Sequence, residues 1–385
     1  MLNLEKVVFI SDDLTGAGDL ATMLSNRSED IFIYSTPRET RKKWLIYDTE
    51  TRNLSKAETI RKLRQFKKIS DKQIIIKKID STLRGNIKVE SELFLDWFPD
   101  LTIYFIPAFP KMNRITIDGV HHIDNKKALS SEYARDCNNP PEFEMLKDYA
   151  PEGIEAFNVN LDSLKKISAK ELEGHFICID CSSEEELKDI ANIISENSKK
   201  HKRTMIQGAS AVNNYIEFKK ERSSFRKKKI IRLQTLFFCG SLNPLNRELS
   251  KRFGMKEIIV DEDLLLGFDE YTHNLRMHIN RHLIFGRNVA VFYSGQKVLY
   301  GKSDLLDDRL GKLFSQVYTL APRVLISGGN TAVACLNNID LYYFKLDNIL
   351  GTGIASLSSN NTSFIIKPGG FGDVRLFSKI MEDQS

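Results

Sequence analysis

Short apolar runs, each stopping at a polar or glycine-bearing loop, constrain this chain more than any other feature. Val7–Ile10, Ile74–Ile76 and Leu101–Ile106 in the first half, and Leu236–Phe238, Val289–Phe292, Val324–Ile326 and Phe364–Ile366 in the second, are rich in β-branched and aromatic residues. Strands buried on both faces of a parallel sheet have this composition. Between two such runs, Ala57, Ile60, Leu63 and Phe66 recur among charges in the stretch from Ser55 to Lys67, the pattern of an amphipathic helix. Strand, helix and strand in succession predict an α/β fold with mainly parallel sheets. The length of 385 residues predicts two such domains. The stretch from Lys219 to Lys229 is too charged for a core and reads as the linker, so the expected division is 1–222 and 232–385.

In parallel α/β sheets ligands bind beyond the carboxyl ends of strands, so each strand-to-loop junction is a candidate site. The first junction is Ser11-Asp12-Asp13-Leu14-Thr15-Gly16. A helix N-cap accounts for one of the two acids but not both, and paired carboxylates can orient a hydroxyl, act as general base or hold Mg²⁺. The second, Lys78-Ile79-Asp80-Ser81-Thr82-Leu83-Arg84-Gly85, offers a carboxylate, hydroxyls and cations suited to a small hydroxylated acid. A third, Pro107-Ala108-Phe109-Pro110, leads to Arg114, another anion contact, and then to Asp118-Gly119-Val120-His121-His122. The adjacent histidines are weak metal ligands because neighbouring residues do not share a face.

The second half carries different loops: Gly240-Ser241, Ser327-Gly328-Gly329-Asn330-Thr331 and Lys367-Pro368-Gly369-Gly370-Phe371-Gly372-Asp373. Glycines permit close backbone approach and a helix N-terminus supplies unpaired amides, so the three together point to phosphate. None is a Walker A motif, and no Gly-x-Gly-x-x-Gly or Gly-x-Ser-x-Gly is present. Cys178 and Cys181 have the spacing of a metal or redox pair, but no second pair completes a site, and strand-end thiols are the simpler reading.

Composition excludes several classes. With 42% hydrophobic and 28% charged residues the chain can bury a core. A net charge of +5 gives no nucleic-acid signal. Five cysteines without regular spacing form no disulfide framework, and no apolar stretch reads as a leader or a membrane span. The expectation is a cytoplasmic protein acting on a small molecule, with no nucleic-acid or membrane partner; a homo-oligomer stays open.

Asp12-Asp13-Leu14-Thr15-Gly16-Ala17, Lys78 to Asn86, Pro107 to Pro110 with Arg114, and Tyr133-Ala134-Arg135-Asp136 together resemble the four-carbon acid sugar kinase family, as do the three C-terminal glycine-rich loops. The resemblance covers nearly the whole chain. It implies an N-terminal domain for the sugar acid, a C-terminal domain for ATP and an active site in the cleft between them. The reaction implied is transfer of the γ-phosphoryl group to the terminal hydroxyl of threonate, erythronate or a 3-oxo relative, with Mg²⁺. Asp12, Asp13 or Asp80 would orient and deprotonate the hydroxyl, with no choice among them. Lys78, Ser81, Arg84 and Arg114 would bind the acid, and Ser241, Gly328, Gly329, Asn330, Thr331 and Gly370 the nucleotide. One departure from the family pattern is Asn113, which stands before Arg114 where glycine is more usual. The alternatives are Asp373 as base, or a sugar-acid or nucleotide sensor of the same fold that has lost catalysis.

Overall fold

A computed structural model of the chain describes residues 1–25, 28, 30–38, 44–135, 138–218, 233–241, 243–261, 269–293, 303–339, 341, 343–351, 354–367 and 374–381. The expected linker, Gly370 and Asp373 lie outside the described residues. The chain divides into two compact units, Met1–Phe225 and Arg226–Ser385.

The strands of the first unit are β1 Val7–Ser11, β2 Ile31–Tyr34, β3 Trp44–Asp48, β4 Ile74–Lys78, β5 Leu101–Ile106, β6 Arg114–Ile117, β7 Val120–Ile123, β8 Lys126–Lys127, β9 Ala156–Val159, β10 Phe176–Ile179 and β11 Arg203–Gly208. All but β6 to β8 join one parallel sheet in the order β2-β3-β1-β4-β11-β5-β10-β9. Every residue of β1, β4 and β5 is buried, which is why these runs are continuous rather than alternating. Ile10, Ile75, Phe105, Phe176 and Met205 belong to one core cluster. The expected amphipathic helix begins at a capping box, where Ser55 Oγ accepts from Glu58 N and Glu58 Oε2 accepts from Ser55 N. It runs Lys56–Leu63 and tightens into a 3₁₀ turn, Arg64–Phe66, with Leu63 and Phe66 buried.

Beyond Pro110, β6, β7 and β8 form a separate antiparallel sheet, which places Arg114 at the start of a strand. Its turn, Asp118-Gly119, has φ of 50° and 75°, the type I′ geometry that matches strand twist. Alternation along β7 buries His121 and leaves His122 half-buried. Cys178 and Cys181 are both buried, and burial pushes the Cys181 thiol up to about 12.

In the second unit, β12 Thr235–Cys239, β13 Lys256–Val260, β14 Val289–Tyr293, β15 Arg323–Ser327, β16 Tyr343–Gly351, β17 Ile354–Ser359 and β18 Thr362–Lys367 lie in the order β13-β14-β12-β15-β18-β17-β16. The pairings from β13 to β18 are parallel; β17 and β16 add antiparallel strands. The reversal is made by Asn360-Asn361, with φ of 48° and 68°, a two-residue hairpin turn that asparagine tolerates. Phe237, Leu325, Ile365 and Phe377 anchor the core of this unit. Among the described residues no helix is long and apolar enough to cross a membrane.

Candidate functional site

In the first unit β1 and β4 are neighbours, with Ser11 opposite Lys78, so the loops that follow them leave the sheet side by side. The chain leaves β1 toward β2 and β3 on one side, and leaves β4 through the helix Ile87–Trp97 toward β5 on the other. Such a switch point opens a crevice between the two loops.

Asp13 is the N-cap of the helix Leu14–Leu24, its Oδ1 accepting from Gly16 N at 2.7 Å. A side chain at Gly16 would place a Cβ 2.5 Å from Ser11 Oγ and 2.9 Å from Asp13 Oδ1, so the cap requires glycine there. Asp12 is 2% exposed. Both carboxylates are gripped by a residue that sequence reasoning missed, Arg52. Its Nε and Nη2 donate to Asp12 at 3.0 and 2.8 Å, and its Nη1 and Nη2 to Asp13 at 2.5 and 2.8 Å.

The loop that carries Arg52 is tied down on several sides. Arg52 N donates to Asp12 O at 3.1 Å. The Asn86 amide donates to the carbonyls of Thr51 and Leu54, and the Asn139 amide to those of Arg52 and Leu54. Thr51 Oγ1 donates to Glu90, which pairs with Lys77 at 2.8 Å in an ion pair closed to solvent. The sequence signal was there: the apolar run Trp44-Leu45-Ile46-Tyr47 stops at Asp48 and a polar loop, as the runs before Asp12 and Asp80 do.

Burial raises the cost of ionising Asp12, but Arg52, Lys77 and Lys78 outweigh it and hold the carboxyl below its usual range. For Asp13 burial prevails over Arg52, helped by the charge on Asp12, and its pKa is raised. Two adjacent acids are thus pushed apart, the arrangement that separates a fixed carboxylate from a proton acceptor. Asp80 is buried too, yet Arg84, Arg52, the Thr82 hydroxyl and Lys78 hold it far below the carboxylate range. Lys78 is 5% exposed, and its Nζ donates to Ile79 O at 2.8 Å.

Arg84 Nε donates to Asp80 Oδ2 at 2.6 Å and to Thr82 Oγ1 at 3.1 Å. The turn between them holds the buried Leu83 at φ 64°, a left-handed conformation that bulky residues rarely adopt. Arg114 Nη1 donates to Ser81 Oγ, and Arg114 Nε is a buried donor without a hydrogen-bond partner among the described residues. Asn113 takes φ 53°, so the asparagine keeps the left-handed turn that glycine would make before the arginine. His121 Nε2 lies 3.0 Å from Ser81 O and must donate to it, which leaves Nδ1 to accept from Thr116 Oγ1 at 3.0 Å. Burial pushes this imidazole down to about 4. Asp12, Asp13, Lys78, Asp80, Ser81, Arg84 and Arg114 are therefore gathered at one end of one sheet.

The second unit repeats the topology with other chemistry. β12, β15 and β18 end in register, Cys239 beside Ser327 beside Lys367. Gly240 N donates to Ser327 O, and Gly328 N to Lys367 O, both at 3.2 Å. Gly328 has φ 113° and is the N-cap of the helix Gly329–Asn337, where as a glycine it offers no capping side chain of its own. A Cβ at Gly240 would collide with Thr331 Oγ1, so the glycine makes room for that side chain. Ser241 Oγ accepts from Asn243 N at 3.3 Å. Lys367, outside the expected set, is 1% exposed, and burial pushes its ammonium down to about 8.

Comparison with known proteins adds to this geometry. A family model described as a sugar-binding N-terminal domain matches residues 7–216. A D-erythronate kinase of Heliobacterium modesticaldum is 28% identical over 155 residues, 38% of this chain and 35% of that protein. A D-threonate kinase of Salmonella typhimurium is 24% identical over 261 residues, 63% of this chain and 59% of that protein. The matches thus span about a third and under two thirds of these relatives. The same fold occurs in a solved Salmonella typhimurium protein with a TM-score of 0.75 at 15% identity, covering 98% of this chain and 99% of that one. It occurs also in a Haemophilus influenzae DUF1537 protein with a TM-score of 0.68 at 16% identity, covering 97% and 98%.

Proposed function

We propose, from the chain's membership of the sugar-binding N-terminal domain family and its similarity to D-erythronate and D-threonate kinases, that it phosphorylates the terminal hydroxyl of a four-carbon sugar acid with ATP. The observation that carries this reading is the crevice in which Arg52 ties Asp12 to Asp13 beside the arginines of the Asp80 and Arg114 loops. Arg84 and Arg114 take the carboxylate of a threonate, an erythronate or a 3-oxo relative. Lys78, Ser81 and Asp12 bind its hydroxyls. Asp13, the acid of the three with a raised pKa still governed by a nearby charge, receives the proton of the attacking hydroxyl. Asp80 is too firmly ionised and too engaged with Arg84 for that task; it orients the guanidinium.

The glycine loops of the second unit fit a polyphosphate: Gly240 has no space for a side chain, and Gly328 holds a backbone turn at a helix N-terminus. Ser241, Gly328, Gly329, Asn330 and Thr331, with Gly370, would hold the nucleotide, whose chemical contribution is the γ-phosphoryl group. Positioning and charge stabilisation supply most of the catalysis in such a transfer. Among the described residues no group of three or more His, Cys, Asp or Glu could hold a metal ion, so no step is assigned to Mg²⁺.

A coupled assay of ADP release over D-threonate, D-erythronate and their 3-oxo counterparts tests the reading. Turnover is expected with at least one acid, at a kcat/KM of about 10⁴ M⁻¹s⁻¹ or above. Calorimetric binding of an acid without ADP release from any would favour the sensor instead. Neither binding nor release would sink both.

A further inference from the structure

One aromatic ring at the acid crevice has no part in the reading above. Tyr133 lies on a 3₁₀ turn, Glu132–Arg135, and is half-buried against the core cluster that contains Leu83, Ala128 and Tyr149. The turn is anchored by Ser131, whose Oγ donates to Ala128 O at 2.7 Å and whose carbonyl accepts from Ala134 N. The Arg84 guanidinium carbon stands 5.2 Å from the ring centroid, and that of Arg114 stands 5.8 Å from it. Two cations, one from the loop after β4 and one from the first residue of β6, therefore share one ring.

We propose that Tyr133 is a positioning residue for the acid's carboxylate, its ring holding Arg84 and Arg114 in the one arrangement that receives it. Like charges repel, so two guanidinium groups beside one ring need a counterweight to stay together. The negative face of a ring attracts both cations without consuming their N–H donors. Hydrogen bonds fix one edge of each: Arg84 Nε to Asp80, and Arg114 Nη1 to Ser81 Oγ. Arg114 Nε, a buried donor without a partner among the described residues, is held where an acceptor would complete it. A planar carboxylate takes parallel N–H donors, so the rotation of each guanidinium about its stem matters as much as its charge. The ring sets that rotation. Its hydroxyl is not needed for this.

The proposal rests on the acid-binding reading, and the test separates the two. Tyr133→Leu and Tyr133→Phe are compared with the parent chain in two measurements. In steady-state kinetics with the best four-carbon acid, Tyr133→Leu is expected to raise KM for the acid about tenfold, with KM for ATP unchanged and kcat changed less than KM. Tyr133→Phe keeps the ring and is expected to stay within about twofold of the parent. In a proton–nitrogen correlation spectrum without ligand, the Nε–H signals of Arg84 and Arg114 should carry a ring-current shift that Tyr133→Leu removes and Tyr133→Phe preserves. Equal acid KM in all three proteins, or arginine signals unmoved by Tyr133→Leu, overturns the positioning role. A parent chain that binds no four-carbon acid, yet shows the ring-current shifts and their loss, supports the clamp and overturns the acid reading instead. Equal loss in the Leu and Phe variants would assign the effect to the hydroxyl and overturn the proposal.

Discussion

The two units build a crevice at the same topological position and fill it in opposite ways. In the first, β1 and β4 diverge at the Asp12 and Asp80 loops; in the second, β12 and β15 diverge at the Gly240 and Gly328 loops. The first crevice is lined by charged side chains locked to one another: Arg52 to Asp12 and Asp13, Arg84 to Asp80, Arg114 to Ser81. The second is lined by backbone, by the Thr331 side chain that fits only because residue 240 is glycine, and by one buried lysine. A parallel sheet thus supplies a location and no chemistry. Side chains held in ion pairs can discriminate one small hydroxylated acid from another. Backbone amides reach any phosphate and discriminate little.

That contrast breaks most readily at Arg52. If the first crevice works through locked charges, Arg52→Ala leaves Asp12 and Asp13 uncompensated and should cost about 3–5 kcal/mol in urea unfolding. Turnover should fall by more than about a thousandfold. Arg52→Lys should recover little, because a point charge cannot span two carboxylates as the fork does. Near-parental stability and turnover in Arg52→Ala would show that the pairing is incidental. The corresponding probe of the second unit is Gly240→Ala, expected to cost about 1–3 kcal/mol through crowding against Thr331. KM for ATP should rise, with KM for the acid unchanged. Adding Thr331→Ala removes the nearest colliding atom, so the double variant should lose less stability than Gly240→Ala alone. An additive loss would mean that the glycine serves something other than this contact.

The same contrast explains what the sequence revealed. The central strands were legible because burial on both faces makes them continuous apolar runs, as in Ile74–Ile76 and Leu101–Ile106. The acids and arginines of the Asp12, Asp80 and Arg114 loops were legible because charge behind a buried strand is conspicuous. Arg52 was not, although it organises the crevice: the apolar run before Asp48 marks a strand-end loop, but no short spacing ties the arginine in that loop to Asp12. Its role depends on β3 lying beside β1, which is a fact of sheet order. Tyr133 was legible only within the family motif, and its contact with two arginines is a matter of tertiary placement. The β6–β7 hairpin went unread although Asp118-Gly119 between Ile115-Thr116-Ile117 and Val120-His121-His122-Ile123 is a hairpin signal. In the second unit the glycines were visible, but not why they are needed, since the reason at Gly240 is a side chain from the neighbouring loop.

The gentlest way to sharpen the comparison is pH, because His121 in the first unit and Lys367 in the second are buried bases whose charged form is disfavoured. Burial lowers His121 from 6.5 to about 4 and Lys367 from 10.5 to about 8. In both cases the unfolded chain binds the proton more tightly, so stability rises with pH between the folded and unfolded values. For His121 this stabilisation is complete above about 6.5 and is lost as the pH falls toward 4. For Lys367 the penalty is complete below about 8 and is relieved as the pH climbs toward 10.5. The first unit should therefore show an acid-side slope and the second an alkaline-side slope. The chain has two tryptophans, Trp44 and Trp97, and both lie in the first unit, so their fluorescence follows that unit while circular dichroism follows both. His121→Gln should flatten the acid slope seen by fluorescence relative to the parent. Lys367→Met should flatten the alkaline slope seen by circular dichroism and leave the fluorescence curve unmoved. If ATP occupies the glycine loops beside Lys367, a phosphate keeps that ammonium charged and the parent's alkaline slope should shrink when nucleotide is present. An alkaline slope indifferent to ATP would separate Lys367 from the phosphate site and leave the second crevice to backbone alone.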